Sequence, residues 1–345
     1  MADQKGNKGR IQYWDIAKGI TILLVVFGHI NCIDPYIRSL IFAYHMPFFF
    51  IANAYFIKNY NLHEHFIKSV RSLMIPYSVV CVLSAILCVN QNRGEVPNYR
   101  IFLNRIADMF IGMSKISNHF IRFESVWLVW FVICLFASRM IYVMLMNKLE
   151  VAPVWLSFLI MAVLAGVGEA VGLLYAFLPW SLDVALVALP FMWIGDQLHK
   201  TDWISKNAKR IWIWGFVFLI WLFLARKGAA IEMATRSYPG YVICFVEAMA
   251  GVLVCIKCSL LIETLSKRLS AFFAWCGKNS MIILALHCLE MRFLDWNTVI
   301  YSRLPFAVNE NLGFIIKMSC ILIITWLTTQ SQRGLYLLNL TDCVN

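Results

Sequence analysis

Charged residues are scarce in this chain. Only 14% of its 345 residues are Asp, Glu, Lys or Arg, whereas an average soluble domain has about 25%. The charges lie in short clusters between long apolar runs, and 61% of all residues are hydrophobic. This distribution excludes a water-soluble globular fold. The apolar runs also lack the period-two alternation that predicts a membrane β-barrel.

The apolar runs predict an all-α, polytopic integral membrane protein. A spanning helix needs roughly 20 apolar residues, and about ten runs qualify. We place them at 14–33, 37–57, 72–90, 124–146, 154–174, 181–199, 210–226, 240–262, 275–295 and 311–330. Residues 1–345 then form a single membrane-embedded domain, with 1–13 as a short basic N-terminal segment. No small-x-small cleavage site follows the first run, so we expect it to be retained.

The distribution of Lys and Arg predicts the orientation. With a cytoplasmic N-terminus, 17 of the 30 basic residues lie on the cytoplasmic side and 11 lie outside, five of these in the long connection 91–123. The positive-inside rule is weak for such a connection. We therefore predict a multi-pass protein of the cell membrane with both termini in the cytoplasm. The same rule accounts for the net charge of +11, and we expect no nucleic-acid partner. The connection 91–123 also carries apolar residues at helical spacing, which is typical of an amphipathic helix on the membrane surface.

Three titratable residues interrupt the first apolar run, DIAKGITILLVVFGHI. Lys18 and His29 are eleven residues apart, so they share one helix face about 16 Å apart. Asp15 lies one turn before Lys18 and is close enough to pair with it. Ionisable residues inside a membrane usually mark a functional path. Three structural alternatives remain open: Lys18 could snorkel to the interface, Asp15 could be a helix-start charge, and His29 could bond a neighbouring helix.

The second run adds another histidine. His45 precedes Pro47 in AYHMPFFFIANAYF, and a proline permits a bend in a membrane helix. If the second helix descends antiparallel to the first, His45 approaches the depth of His29. Two histidines in one cavity are a candidate acid–base or nucleophilic pair. No further ligand comes at a recognisable metal-binding spacing, so we expect no metal.

Two basic residues precede the third run. Lys68 and Arg71 are three residues apart, and they could hold a phosphate-bearing donor or provide membrane-surface charge. The HEH at His63–His65 is interpreted as a solvated face. His287 could line the same cavity or simply pack, and Cys255 and Cys258 are interpreted as packing residues rather than a redox pair. Spacing does not rank the other polar residues inside the runs, which are Glu169, Asp183, Asp196, Glu247, Lys257, Glu290 and Lys317.

These stretches resemble acyltransferase family 3, the membrane O-acyltransferases, and within it the fucose 4-O-acetylase-like branch. YWDIAKGITILLVVFGHI matches a signature of Arg or Lys, ten residues and then His, at Lys18 and His29. The run from His45 matches a His-Met-Pro-aromatic motif, and Lys68 with Arg71 before IPY matches a basic pair. Weaker similarity continues to WCGKNSMIILALH. The chain departs from the family in IANAYF, where a glycine is usual, and in having Lys68 in place of an arginine.

The resemblance implies O-acetylation, in which an acyl group, usually acetyl, moves from cytoplasmic acyl-CoA to a hydroxyl of a surface polysaccharide or lipid-linked glycan. It implies that Lys68 and Arg71 hold the phosphates of CoA, and that Lys18, paired with Asp15, lines the channel of the thioester arm. His29, aided by His45, would act as general base or carry the acetyl group. Many relatives have an extra extracytoplasmic domain, and without one we expect the membrane core to handle the acceptor. A transporter or flippase and a non-catalytic partner of a polysaccharide synthase remain as alternatives.

Overall fold

Helices account for nearly all of the secondary structure. The structure, a computed structural model, describes residues 11–29, 33–92, 94, 96–113, 125–174, 178–228 and 230–337. Its α-helices are α1 (Gln12–Gly28), α2 (Pro35–Tyr55), α3 (Leu62–Ser69), α4 (Ile75–Asn90), α5 (Asn98–Ile111), α6 (Trp130–Leu149), α7 (Val154–Leu173), α8 (Leu182–Val187), α9 (Leu189–Lys200), α10 (Trp203–Asn207), α11 (Ile211–Ala225), α12 (Val242–Leu265), α13 (Lys267–Lys278), α14 (Ser280–Phe293), α15 (Trp296–Val299) and α16 (Glu310–Leu337). A π-helical turn, Val70–Met74, joins α3 to α4. Within these residues, β pairing is limited to one bridge between Glu232 and Ser237.

The structure supports a multi-pass membrane protein. Within the described ranges, five helical segments are long and apolar enough to cross a bilayer: Leu62–Asn90, Trp127–Leu149, Val154–Leu173, Val242–Leu265 and Glu310–Ser331. Two bent pairs, Pro179–Val187 with Leu189–Lys200 and Lys267–Lys278 with Ser280–Phe293, raise the number of candidate spans to seven. These findings confirm an all-α membrane architecture but not the predicted count of about ten.

The three remaining predicted spans form shorter or more polar helices. α1 has 17 residues and α11 has 15, both less than the roughly 20 that a full crossing needs. α2 has 21 residues but carries Arg38, His45 and Asn53, which lower its apolarity. The end of the predicted span 14–33, part of the connection 91–123, and both termini lie outside the described residues. α5 forms inside that connection.

The central helix of the bundle is α1, which packs against α2, α12, α13 and α14. Its closest neighbour is α13, and the two backbones meet at Gly19 and Gly277. A methyl group on Gly277 would overlap the carbonyl oxygen of Asp15, and one on Gly19 would overlap that of Phe273. Small residues permit such close approach between membrane helices. Because protein surrounds α1, its polar residues are shielded from lipid.

An ion pair anchors the connection between α11 and α12. Arg236 donates from Nε to Oδ2 of Asp183 at 2.7 Å and from Nη2 to Oδ1 at 3.2 Å. Both side chains are buried, and a bidentate pair of this kind fixes orientation as well as distance. Two nearby side chains, Ile231 and Met233, are also buried. The connection therefore turns into the bundle instead of standing away from it.

Candidate active site

One cavity of about 400 Å³ passes between α1, α2, α6 and the start of α14. Each of the first three helices presents one face to it, at the spacing of three and four residues that aligns side chains on a helix. The lining residues are Asp15, Lys18, Ile22, Val25 and His29 from α1, Phe42, His45, Met46, Phe49, Ala52 and Asn53 from α2, and Trp130, Phe131, Leu135 and Arg139 from α6. Asp15, Lys18, His29 and His45 thus line a single cavity. One of its ends is defined by Lys18 and the other by His29.

The two histidines are held by the backbone in the same way. Nδ1 of His29 lies 2.7 Å from the carbonyl oxygen of Val25, and Nδ1 of His45 lies 3.1 Å from that of Ile41. A carbonyl only accepts, so each Nδ1 must carry the proton and donate it. In the neutral imidazole each Nε2 is then a lone-pair acceptor. Phe42 lies between the rings, with centroids 5.5 Å from His29 and 4.8 Å from His45.

A third histidine lies directly behind His29. The ring centroids of His29 and His287 are 5.3 Å apart, and His287 is fully buried. Its Nδ1 lies 2.8 Å from Oε1 of Glu290. That carboxylate is also 2.6 Å from Nζ of Lys317 and accepts a hydrogen bond of 2.5 Å from Nε1 of Trp296. Nε2 of His287 has no hydrogen-bond partner among the described residues.

The Lys18 end of the cavity is basic. Nζ of Lys18 lies 5.0 Å from the centroid of the Phe56 ring, within the range of a cation–π contact. Arg139 and Lys278 also line the cavity. Nη2 of Arg139 donates to Nδ1 of His65 at 2.9 Å, while Nε2 of His65 lies 2.8 Å from the carbonyl oxygen of Asn59. An arginine cannot accept, so the His65 proton must be on Nε2.

The predicted basic pair lies elsewhere. Lys68 and Arg71 are exposed and do not line the cavity. The Lys68 side chain is 67% exposed, and its Nζ is 4.0 Å from Oε2 of Glu64, which is worth little in water. The prediction for HEH was wrong for its last residue, since His65 is buried.

A polar cluster fixes the segment that follows α2. Asp196 accepts hydrogen bonds from the hydroxyls of Tyr60 and Tyr142 at 2.6 and 2.7 Å, and Nζ of Lys200 is 3.0 Å away. Burial and, next, the hydrogen bond to Asp196 raise the pKa of Tyr60 well above its usual value. Tyr60 therefore remains a protonated donor, which keeps the segment next to Phe56 in place.

The anchored connection also reaches the cavity. Residues Ile231, Glu232, Met233 and Ala234 contribute to its wall. The connection lies at the His29 end, because α11 ends beside the start of α2: the Tyr36 hydroxyl donates to the carbonyl of Leu222 at 3.0 Å. Farther along α2, Oδ1 of Asn53 is buried without a hydrogen-bond partner among the described residues.

Sequence reasoning missed several residues of this site. Arg139 was counted only as a topology charge, and Lys278 was not singled out. His287 and Glu290 are three residues apart, a spacing that brings helix side chains together and that could have indicated their pairing. The contact between His65 and Arg139 joins residues 74 positions apart, and no local pattern reveals it.

Comparison with known families gives one match. The family model of acyltransferase family 3, described as an acyltransferase domain, matches residues 11–330. The match covers every residue of the cavity. Comparison with curated proteins and with solved structures gives no match.

Proposed function

The chain belongs to acyltransferase family 3, and on this basis we propose that it is a membrane-embedded O-acyltransferase. It moves an acyl group, most simply acetyl, from cytoplasmic acyl-CoA to a hydroxyl of a surface polysaccharide or lipid-linked glycan. The family membership supports acyl transfer. The choice of acyl-CoA, acetyl and glycan rests on the resemblance of the motifs at Lys18, His29 and His45.

The observation that carries the proposal is the cavity itself. A single space holds Lys18 at one end and His29 with His45 at the other. On an α-helix the eleven residues from Lys18 to His29 cover about 16 Å. A donor that enters at the Lys18 end could therefore meet an acceptor hydroxyl at the His29 end without either substrate crossing the membrane.

The reaction needs a base for the acceptor hydroxyl. In the direct mechanism, Nε2 of His29 takes the hydroxyl proton while the oxygen attacks the thioester carbonyl. The C–O bond forms, the C–S bond breaks, and the proton returns to the departing sulfur as CoA–SH. In the alternative, Nε2 of His29 attacks the thioester carbonyl first, so the N–C bond forms, the C–S bond breaks and CoA leaves as the thiolate. The acceptor hydroxyl then attacks the acetyl group, the C–O bond forms as the C–N bond breaks, and the thiolate takes the hydroxyl proton to give CoA–SH. The backbone contact of Nδ1 suits both mechanisms, because it leaves Nε2 available.

The neighbours of His29 would help it to take up the hydroxyl proton. His45 presents a second neutral acceptor to the same cavity. His287, with Nδ1 held by Glu290, could share the positive charge when His29 is protonated, since a carboxylate stabilises an imidazolium. Asp15 lies one turn from Lys18 on the channel wall and offsets part of its charge.

The proposed donor side is the cytoplasm. The positive-inside count supports an orientation with both termini and the Lys18 end inside. Lys68 and Arg71 then lie on the exposed cytoplasmic surface, where they attract the phosphates of CoA from solution. Membrane lipids surround the bundle, and a glycan acceptor reaches the His29 end from the other side.

The test uses purified protein with acetyl-CoA and an acceptor glycan. An acyltransferase releases one free CoA thiol for each ester formed, which a thiol reagent and mass spectrometry of the glycan measure together. A transporter or flippase releases no thiol. A protein that only assists a polysaccharide synthase gives no ester by itself. Absence of both products with intact, CoA-binding protein would refute the proposal.

A further inference from the structure

We infer that Arg139, Lys278 and Lys18 form a binding site for the phosphate groups of the donor at the Lys18 end of the cavity. The inference rests on the proposed function and identifies residues for it beyond the exposed pair Lys68 and Arg71.

Arg139 is a cation without an acidic partner in the part of the chain that the structure describes. Among the described residues its guanidinium bonds only to His65, and its Nε is buried with no hydrogen-bond partner. Arg139 is half-buried, and withdrawing a charge from water is costly unless it is paired and hydrogen-bonded. The Arg139 guanidinium lines the cavity and has N–H donors left over. An anionic ligand that accepts hydrogen bonds from these donors would offset the cost of burial. Phosphate suits it, because the planar group offers parallel N–H donors.

The contact with His65 orients this guanidinium. His65 is itself fixed, because its Nε2–H donates to the carbonyl of Asn59. Its Nδ1 can then only accept, and it takes one N–H of Arg139, while His65 itself does not line the cavity. The π-helical turn Val70–Met74 follows directly after α3, which carries His65, and such turns are frequent at functional sites.

Lys278 joins the site through the close crossing of α1 and α13. Gly277 contacts the backbone of α1 at Asp15, so the next residue, Lys278, is placed at the rim of the cavity beside α1. Lys278 is exposed and has no ion-pair partner among the described residues. Of the described residues that line this end, three are basic, Lys18, Arg139 and Lys278, and one is acidic, Asp15.

The middle of the cavity suits the rest of the donor. Pantetheine carries two amide groups, and the walls between the two ends are mainly apolar side chains such as Ile22, Phe49 and Leu135. Asn53, on α2 one turn before Phe56, also lines the cavity, and its Oδ1 is buried without a partner among the described residues. An amide N–H of the arm could donate to it. Phosphates at Arg139 would thus leave the thioester pointing towards His29.

Calorimetry on purified protein in nanodiscs tests the site with two probes, CoA and pantetheine, which lacks the phosphates. For Arg139→Gln combined with Lys278→Gln we expect the Kd of CoA to rise roughly 10–100-fold and that of pantetheine to stay unchanged. The control combines Lys267→Gln with Arg268→Gln, two exposed residues of the same helix α13, and should leave both values unchanged.

A further pair of variants tests the orientation of Arg139. His65→Ala should weaken CoA binding, and His65→Gln should restore part of it, because a glutamine carbonyl can still accept from the guanidinium. Equal loss in both variants would contradict the role of His65. If the Arg139→Gln protein does not fold, Lys278→Gln alone can be used, because this residue is exposed. Its Kd for CoA should still rise while its Kd for pantetheine stays unchanged.

Four results would overturn the inference. If wild-type protein binds CoA and the Arg139/Lys278 variant binds it equally well, the site is wrong while the proposed function stands. If the variant loses pantetheine as strongly as CoA, the substitutions act on the shape of the cavity. If nanodiscs with anionic phosphatidylglycerol weaken CoA binding to the wild type alone, the phosphate site belongs to a lipid headgroup. Absence of CoA binding to wild-type protein would refute the proposed function as well.

Discussion

At the scale of single residues, hydrogen bonds within each helix determine which ring nitrogen of the cavity histidines carries the proton. The Nδ1–H of His29 and that of His45 both donate to the carbonyl one turn earlier, which holds each ring against its own helix. An imidazole held in this way has one nitrogen left for substrate. The arrangement needs no acidic partner next to His29, and one carboxylate of this region, Glu290, contacts His287 instead.

His29→Gln tests the base directly. Glutamine keeps a polar side chain at this position but cannot take a proton, so we expect turnover to fall roughly 10²–10⁴-fold, the usual contribution of a positioned base. CoA binding and the thermal unfolding temperature should stay near the wild-type values. His63→Gln, at an exposed histidine, is the control. Near-normal acetyl transfer by a folded His29→Gln protein would exclude both the base and the acetyl-carrier mechanism.

Glu290→Gln tests the support behind His29. The carboxylate faces three donors, from His287, Lys317 and Trp296, and an amide would replace one of its two acceptor oxygens by a further donor. We expect kcat to fall at least roughly tenfold, while KM for acyl-CoA stays unchanged because the donor phosphates lie at the other end. Glu310→Gln, an exposed carboxylate at the start of α16, should change neither. A rise in KM with constant kcat would contradict this role.

The sequence was sufficient for some of these residues and not for others. The period of an α-helix alone puts Lys18 and His29 on one face, because both lie in one continuous helical run. It does not reveal the contact between His65 and Arg139, because that contact depends on how α3 and α6 pack. His65 in HEH also has charged and polar neighbours, which is typical of a solvated segment, and tertiary contact overrides that local pattern.

At the scale of helices, α1 is short for a span and still central. Its 17 residues are enclosed by α2, α12, α13 and α14. The polar residues on its cavity face lower the mean hydropathy of the helix although they do not contact lipid. Mean hydropathy is therefore a poor guide to whether α1 lies in the membrane. The bent pairs show the same limit. The bend between Lys267–Lys278 and Ser280–Phe293 is 67°. Hydropathy along the sequence predicts neither this bend nor the position of Lys278 at the rim of the cavity.

Gly277→Ala tests the crossing of α1 and α13. The added methyl group would overlap the carbonyl oxygen of Asp15, so the helices must separate, at a cost of roughly 1–3 kcal/mol. We expect a lower unfolding temperature and weaker CoA binding, since Lys18 and Lys278 both lie beside this contact. Gly215→Ala in α11 is the matched control, because a methyl group there meets nothing within 4 Å. Equal unfolding temperatures for the two variants would contradict the crossing.

At the scale of the whole molecule, composition was enough to predict an all-α membrane protein, because spanning helices must be apolar. The number of spans was harder to predict. α1, α2 and the short α11 are apolar runs in sequence, yet how each meets the bilayer depends on its length and on the helices around it. The positive-inside rule predicts the orientation in the membrane from the distribution of Lys and Arg alone. The proposed cytoplasmic side of the donor depends on this orientation.

Reporter fusions test that orientation. A cytoplasmic reporter after Asn345 and a periplasmic or extracellular reporter in the connection near Asp34 should both be active, since the positive-inside rule places these points on opposite sides. As the control, the two reporters exchange positions, and both should then be inactive. Activity of one reporter type at both positions would refute the orientation, and with it the cytoplasmic donor.

The most direct test of the central claim, that one cavity joins a cytoplasmic donor to an acceptor on the other side, is the sidedness of acetyl transfer in sealed vesicles. Inverted membrane vesicles from cells that contain the protein are given radiolabelled acetyl-CoA, which does not cross the membrane, and then an acetylesterase outside. We predict labelled glycan that resists the esterase until detergent opens the vesicles, and no label in vesicles with His29→Gln protein. Label that the esterase removes from sealed inverted vesicles, or label in sealed right-side-out vesicles, would contradict the account.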